Sequence, residues 1–294
     1  QIGVLRAWID QGAPWDANLT FARIAPANLT TRRPEMPKSR DRNANPIDRL
    51  LAPYFAANQI QPPQLVDDRT FARRAYLDVV GLLPPPDALA AFVADRSRDK
   101  RAQLVRRLLA DPEGYALHWL SFWNDMLRND YKGTGYIDGG RKQITQWLFT
   151  ALETNKPYDQ FVAELVNPTP ASEGFTKGIV WRGVVNASQT PAMQAAQCVS
   201  QVFMGVNLKC ASCHDSFVND WTLADAYGLA GVYADGPLEM VHCDQPTGKI
   251  AAPKFIYAQF GELASSTNKT VRLEQLAKLM TQRTDGRLSR TLVN

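Results

Sequence analysis

The sequence predicts a mainly α-helical protein built from many helices joined by irregular loops. Three observations point there. Apolar residues recur at three- and four-residue spacing in one segment after another. These segments open on capping residues and close on Gly or Pro. Strand-like alternation is scarce.

Residues 1–16 read as a helix stopped by Gly12 and Pro14, and residues 17–44 as a linker. The linker carries the basic cluster Arg32, Arg33, Lys38, Arg40 and Arg42, which reads as a solvated stretch. Asn45-Pro46 opens the next helix, with Asn as cap and Pro at the first helical position; Ile47, Leu50, Leu51, Tyr54 and Phe55 form its stripe. Asp68 is expected to cap a segment bearing Phe71, Ala75, Tyr76 and Val79. After the break at Pro84-Pro85-Pro86 come stripes at Leu89, Phe92 and Val93, then at Leu104, Val105, Leu108 and Leu109. Asp111-Pro112 precedes Tyr115, Trp119, Phe122 and Met126; His118, at the edge of that stripe, reads as a packed core residue. Gly133, Gly135, Gly139 and Gly140 read as a turn, because the Gly-Lys-Ser/Thr ending of a phosphate loop is missing. Ile144, Trp147, Leu148 and Leu152 mark another helix, Phe161, Val162 and Leu165 the next, and Val271, Leu273, Leu276, Leu279 and Met280 a late one. The expected organisation is a leading segment 1–16, the linker 17–44, a helical domain 45–190, a segment 191–256 packed on it, and a C-terminal helix in 257–294.

Composition narrows the function classes. With 294 residues and 45% hydrophobic content the chain can bury a real core. The net charge of +4 is mild and dispersed, which speaks against a nucleic-acid stripe or a membrane patch. No run approaches the roughly 18 apolar residues of a membrane span.

The chemistry concentrates in Cys210-Ala211-Ser212-Cys213-His214. This C-x-x-C-H spacing suits covalent attachment of a c-type haem: two thiols add across the two porphyrin vinyl groups, and the histidine supplies one axial bond to iron. Before it, Ala192, Ala195, Ala196, Val199, Val202, Phe203 and Val206 form one apolar stripe. A helix continued along that stripe would reach Cys210, with Cys213 and His214 on the same face. The fold is therefore expected to be a cytochrome c-like haem domain with one covalent haem c. The competing readings of the motif are a zinc knuckle, which would need Cys243, His242 or Cys198 as further ligands, and a redox Cys-x-x-Cys. Met204 falls off the stripe and is a poor axial candidate.

For the opposite axial position, Thr222 is expected to cap a helix running to about Ala234, with Asp225 completing a capping box. Asp235-Gly236-Pro237 then turns the chain, so that Leu238–Cys243 can return towards the iron. His242 is the first-choice distal ligand and Met240 the second, with another methionine or an open site as the alternatives. Cys198 and Cys243 are either a disulfide or two free thiols. Haem attachment to this motif takes place outside the cytoplasm, so an exported, periplasmic or extracellular chain is expected, and the absence of a signal peptide at Gln1 reads as the mark of a processed or partial chain.

At this point the sequence resembles the planctomycete-type cytochrome c proteins, large exported proteins with a cytochrome-like module and two further domains of unknown function. Leu5-Arg6-Ala7-Trp8-Ile9-Asp10-Gln11-Gly12-Ala13-Pro14-Trp15 resembles the end of that module, and Asn45-Pro46-Ile47-Asp48 the opening of the middle domain. Arg73-Arg74 through Asp78 to Gly81-Leu82-Leu83-Pro84, His118-Trp119-Leu120 and Pro157–Val162 match further blocks of that domain. Phe203-Met204-Gly205-Val206 with Cys210–Asp215 matches its haem block, and Gly286–Asn294 the start of the third domain. Many relatives read His-Asp-His-Pro-Phe after the second cysteine. This chain has His214-Asp215-Ser216-Phe217, which removes a second histidine beside the motif.

The resemblance implies a haem protein but no substrate. Three functions remain in view. The first is extracytoplasmic electron transfer, with a redox partner protein or as a redox subunit of a larger assembly; Asp215, Asp220 and Asp225 would serve docking or solvation. The second is a haem-dependent oxidoreductase or peroxidase with an open sixth site and Glu239, Asp244 or His242 as acid–base groups. The third is a structural module stapled by haem. The first is the expectation carried forward.

Overall fold

A computed structural model describes residues 2–16, 34–38, 45–62, 64–129, 137–139, 142–284 and 286–293. Most of the expected linker 17–44, and the glycines 133, 135 and 140, lie outside the described residues. Among the described residues the architecture is mainly helical, as the apolar spacing predicts.

The caps act where the sequence places them, with one shift. Helix α1 (Ile2–Asp10) ends at Gly12 and buries none of its residues. Asn45 accepts the Ile47 N–H to start α2 (Pro46–Ala57). The cap of α3 (Asp68–Val80) is Asp67, not Asp68: the Asp67 carboxylate accepts both the N–H and the hydroxyl of Thr70. Asp68, one residue on, is thereby freed for a tertiary role described below. Gly81 closes α3 in the left-handed conformation, at φ 70°.

Next come α4 (Pro86–Ala94), α5 (Lys100–Leu109) and α6 (Pro112–Met126), the last capped by Asp111 through the Gly114 N–H. Asp68 pairs with Lys100 and Arg101 of α5, each at 2.8 Å. Around this contact Ala72, Phe92, Leu104 and Leu108 form a small apolar cluster. His118 of α6 lies edge-on to Trp119 and fills the space against the Gly81 turn, as expected of a packed residue.

The larger core runs from α6 to the C-terminal end. It includes α7 (Thr145–Glu153), α8 (Tyr158–Val166), α9 (Pro191–Met204), α10 (Leu223–Tyr233), α11 (Lys269–Thr281) and α12 (Arg287–Val293). α10 packs along α9 and α11, α8 against α11, and α12 against α9. The Thr222–Asp225 capping box forms at the start of α10. At its other end, buried Arg272 donates to the carbonyls of Val232 and Ala234, and also to those of Ser266 and Thr267 before α11. The carbonyls of Val232 and Ala234 are acceptors that the C-terminus of α10 leaves without partners.

Two short antiparallel pairs complete the chain: β1 (Ile137–Gly139) with β2 (Val180–Trp181), and β3 (Glu239–His242) with β4 (Gln245–Ile250). No helix among the described residues is long and apolar enough to cross a membrane.

Candidate functional site

The Cys210–His214 motif sits on a turn of its own. Helix α9 buries Met193, Ala195, Ala196, Val199, Val202, Phe203 and Met204, then stops. Gly205 adopts φ 64° and the Val206 N–H closes back on Ser200 O at 3.0 Å. This glycine-terminated wrap satisfies orphan carbonyls at the helix end. The continuous helix expected from Ala192 to Cys210 is thus broken. Asn207 then turns the chain through its side chain, which accepts the Lys209 N–H.

A single new turn carries the motif. Ser212 N–H donates to Leu208 O, and the N–H groups of Cys213 and His214 both reach Cys210 O, at 3.1 and 3.2 Å. Cys210, Cys213 and His214 therefore keep their three- and four-residue spacing on one turn, although that turn is not α9. Leu208, Ala211 and Ser212 are fully buried beneath it, while Cys210 is exposed and Cys213 half-buried. The Ser212 hydroxyl ties the turn down: it donates to Lys209 O at 2.7 Å and accepts from Gln197 Nε2 of α9 at 2.9 Å.

The His214 ring has a fixed orientation. Its Nδ1 lies 2.7 Å from the Asp215 carbonyl, which can only accept, so Nδ1 carries the proton. In the neutral ring Nε2 then presents a free lone pair, the arrangement typical of metal-ligating histidines. Phe217 stacks on the ring with centroids 4.5 Å apart. Phe217 is 88% exposed, so apolar surface borders the imidazole, and Val218 beside it in sequence is 82% exposed.

Asp215 is the residue that sequence reasoning undervalued. Rather than serving solvation, its carboxylate accepts the Leu223 N–H at the start of α10, while its carbonyl holds His214. Asp225 is likewise committed, to the Thr222 box and to Lys254 at 2.8 Å. Burial raises the Asp225 pKa, but the hydrogen bonds from Lys254 and Thr222 outweigh it and hold the carboxyl below its ordinary value. An Asp directly after a C-x-x-C-H histidine and eight residues before a helix start is a signal that such a double role leaves in the sequence.

The segment 238–243 does return to the motif, as strand β3. The tip of its hairpin is Cys243-Asp244, both with positive φ (45° and 67°). Cys243 N–H donates to Cys213 O at 3.0 Å, and the two sulfurs lie 3.9 Å apart. Cys243 thus meets Cys213 rather than the Cys198 suggested as its partner; Cys198 is half-buried on α9, in the wall of a cavity of about 340 Å³ with Gln194, Gln201 and Lys209. His242 is exposed, whereas Met240 packs against the large core. Glu239 and Asp244 hold the hairpin in place, accepting from Gly248 N and Asn186 Nδ2. Among the described residues no three His, Cys, Asp or Glu side chains gather as a metal cage, so the four-ligand zinc arrangement is not assembled.

The PSCyt2 family model, described as a protein of unknown function (DUF1549), matches residues 46–237. The chain belongs to the PSCyt2 family. The matched region holds Cys210, Cys213 and His214 and ends just before β3. The hairpin with Met240, His242 and Cys243 therefore lies beyond the part that the PSCyt2 model covers. No curated protein and no solved structure matches the chain.

Proposed function

We propose that this PSCyt2 chain is a covalent c-type haem protein for extracytoplasmic electron transfer, acting with a redox partner protein or as a redox subunit of a larger assembly. One observation carries the reading. Cys210, Cys213 and His214 stand on one turn, and the Asp215 carbonyl fixes the imidazole with Nε2 free. The donor set fits the group: two accessible thiols three residues apart, an imidazole of defined tautomer, and exposed Phe217 and Val218 beside it as an apolar apron.

Haem c bound there would supply a one-electron iron couple. Cys210 and Cys213 would hold it by thioether bonds, and His214 would give the proximal nitrogen. Asp215 would keep that nitrogen basic and aimed. His242 is the preferred distal ligand because it is exposed one residue before Cys243, whose contact with Cys213 brings the hairpin tip to the motif. Met240 stands second, since it is committed to core packing. Attachment to such a motif takes place in the periplasm or outside the cell, which sets the expected location.

The test is to express the full chain with a signal peptide and a c-type maturation system. Haem that stays with the polypeptide on a denaturing gel, and is lost in Cys210→Ala/Cys213→Ala, is expected. A low-spin visible spectrum that carbon monoxide leaves unchanged, and that His242→Ala turns high-spin, supports electron transfer. Absence of covalent haem would overturn the reading. A rapid carbon monoxide adduct would favour the alternative with an exchangeable sixth position, which acts as an oxidoreductase or peroxidase.

A further inference from the structure

The four cysteines fall into unlike environments, and two of them meet. Cys213 and Cys243 are 30 residues apart in sequence, yet their sulfurs are 3.9 Å apart. The backbone hydrogen bond from Cys243 N–H to Cys213 O, 3.0 Å long, brings the two main chains together, the close approach of backbones that a disulfide requires. The approach is held from three sides. Tyr227 of α10 donates to Val241 O at 3.4 Å, Asn186 donates to Asp244, and Ala251 N–H reaches Leu238 O at 2.8 Å.

We propose that Cys213 and Cys243 form a disulfide in the haem-free chain, and that this bond withholds Cys213 from covalent haem attachment. The first half stands on the sulfur geometry alone. The second rests on the haem reading above.

The step balances with a disulfide as oxidant, glutathione disulfide being the simplest. One protein thiolate attacks it and releases one glutathione thiolate. The second protein thiolate attacks the resulting mixed disulfide and releases the other. Two protein thiols are oxidised by two electrons, and the oxidant leaves as two thiols carrying the two protons. While the bond exists, Cys213 has no thiol to add to a porphyrin vinyl group. A reducing thiol must open it first, and Cys243 is then left as a free thiol beside the attached sulfur.

The experiment uses the full chain produced without haem maturation, equilibrated with glutathione disulfide, alkylated and mapped by peptide mass spectrometry without reduction. The expected result is a Cys213–Cys243 crosslinked peptide pair and a fall from four free thiols to two. Cys198→Ser leaves the crosslink in place, and Cys243→Ser abolishes it. Four remaining thiols, or a dominant Cys210–Cys213 or Cys198–Cys243 bond, would overturn the proposal. In a maturation system, pre-oxidised wild-type chain should accept haem only after reduction, while Cys243→Ser accepts it in either state. Equal haem incorporation into oxidised and reduced wild-type chain would refute the withholding role. Failure of every variant to take haem, with the crosslink present, would refute the haem reading and leave the disulfide standing.

Discussion

Ser212→Ala tests a side chain that hydrogen-bonds the motif turn to α9. Ser212 is fully buried, and its hydroxyl makes two hydrogen bonds, to Lys209 O at 2.7 Å and from Gln197 Nε2 at 2.9 Å. Each such bond contributes about 0.5–1.5 kcal/mol net, and a buried polar group left without a partner costs about 1–3 kcal/mol. Gln197 keeps a weaker alternative at Ser188 O, 3.3 Å away, and Lys209 is an exposed residue, so water can replace part of what its carbonyl loses. The alanine variant should therefore lose about 1–2 kcal/mol, the net contribution of the two hydrogen bonds. Urea unfolding of the haem-free chain under reducing conditions reads this as a lower midpoint with an unchanged slope. A double-mutant cycle with Gln197→Ala should return a coupling of about 1 kcal/mol, because the two side chains share one bond. A loss under about 0.5 kcal/mol, or a coupling near zero, would refute the view that α9 anchors the motif through Ser212.

Two further outcomes test the scaffold. Gly81→Ala places a β-carbon 2.2 Å from His118 Nδ1 on a backbone with φ 70°; a left-handed alanine alone costs about 1–2 kcal/mol, so the unfolding free energy obtained from thermal melting should fall by at least that much, and His118→Ala should recover only the steric part. The lowered pKa of Asp225 makes its contribution to stability complete above about pH 4, the ordinary carboxylate range, and lost as pH falls through the lower folded value. Asp225→Asn should thus be less stable at neutral pH and show a flatter acid limb below about pH 4 in melting experiments; an unchanged limb would show that Asp225 is not the titrating group.

Much of the scaffold was legible because its signals are local. Asn45-Pro46 and Thr222 with Asp225 act within one helical turn, and each formed the predicted cap. The one shifted cap, Asp67 for Asp68, changes which carboxylate meets Thr70 and which meets α5. Only the second of those contacts involves distant residues, and helical spacing carries no information about it. The β3–β4 hairpin was hidden for a different reason. Its two-residue turn needs positive φ at both central positions, which usually selects Asn-Gly or Asp-Gly. Here Cys243-Asp244 adopts it, held by contacts to Cys213 and Asn186 from outside the hairpin.

By itself the sequence determined the helices, most of their caps and the C-x-x-C-H spacing, because periodicity, capping and a three-residue cysteine interval are all set within a few neighbouring residues. The tertiary structure decided where α9 ends, what Asp215 holds and which sulfur Cys243 meets. Those outcomes join residues on separate elements, and packing of α9, α10 and the hairpin brings them together.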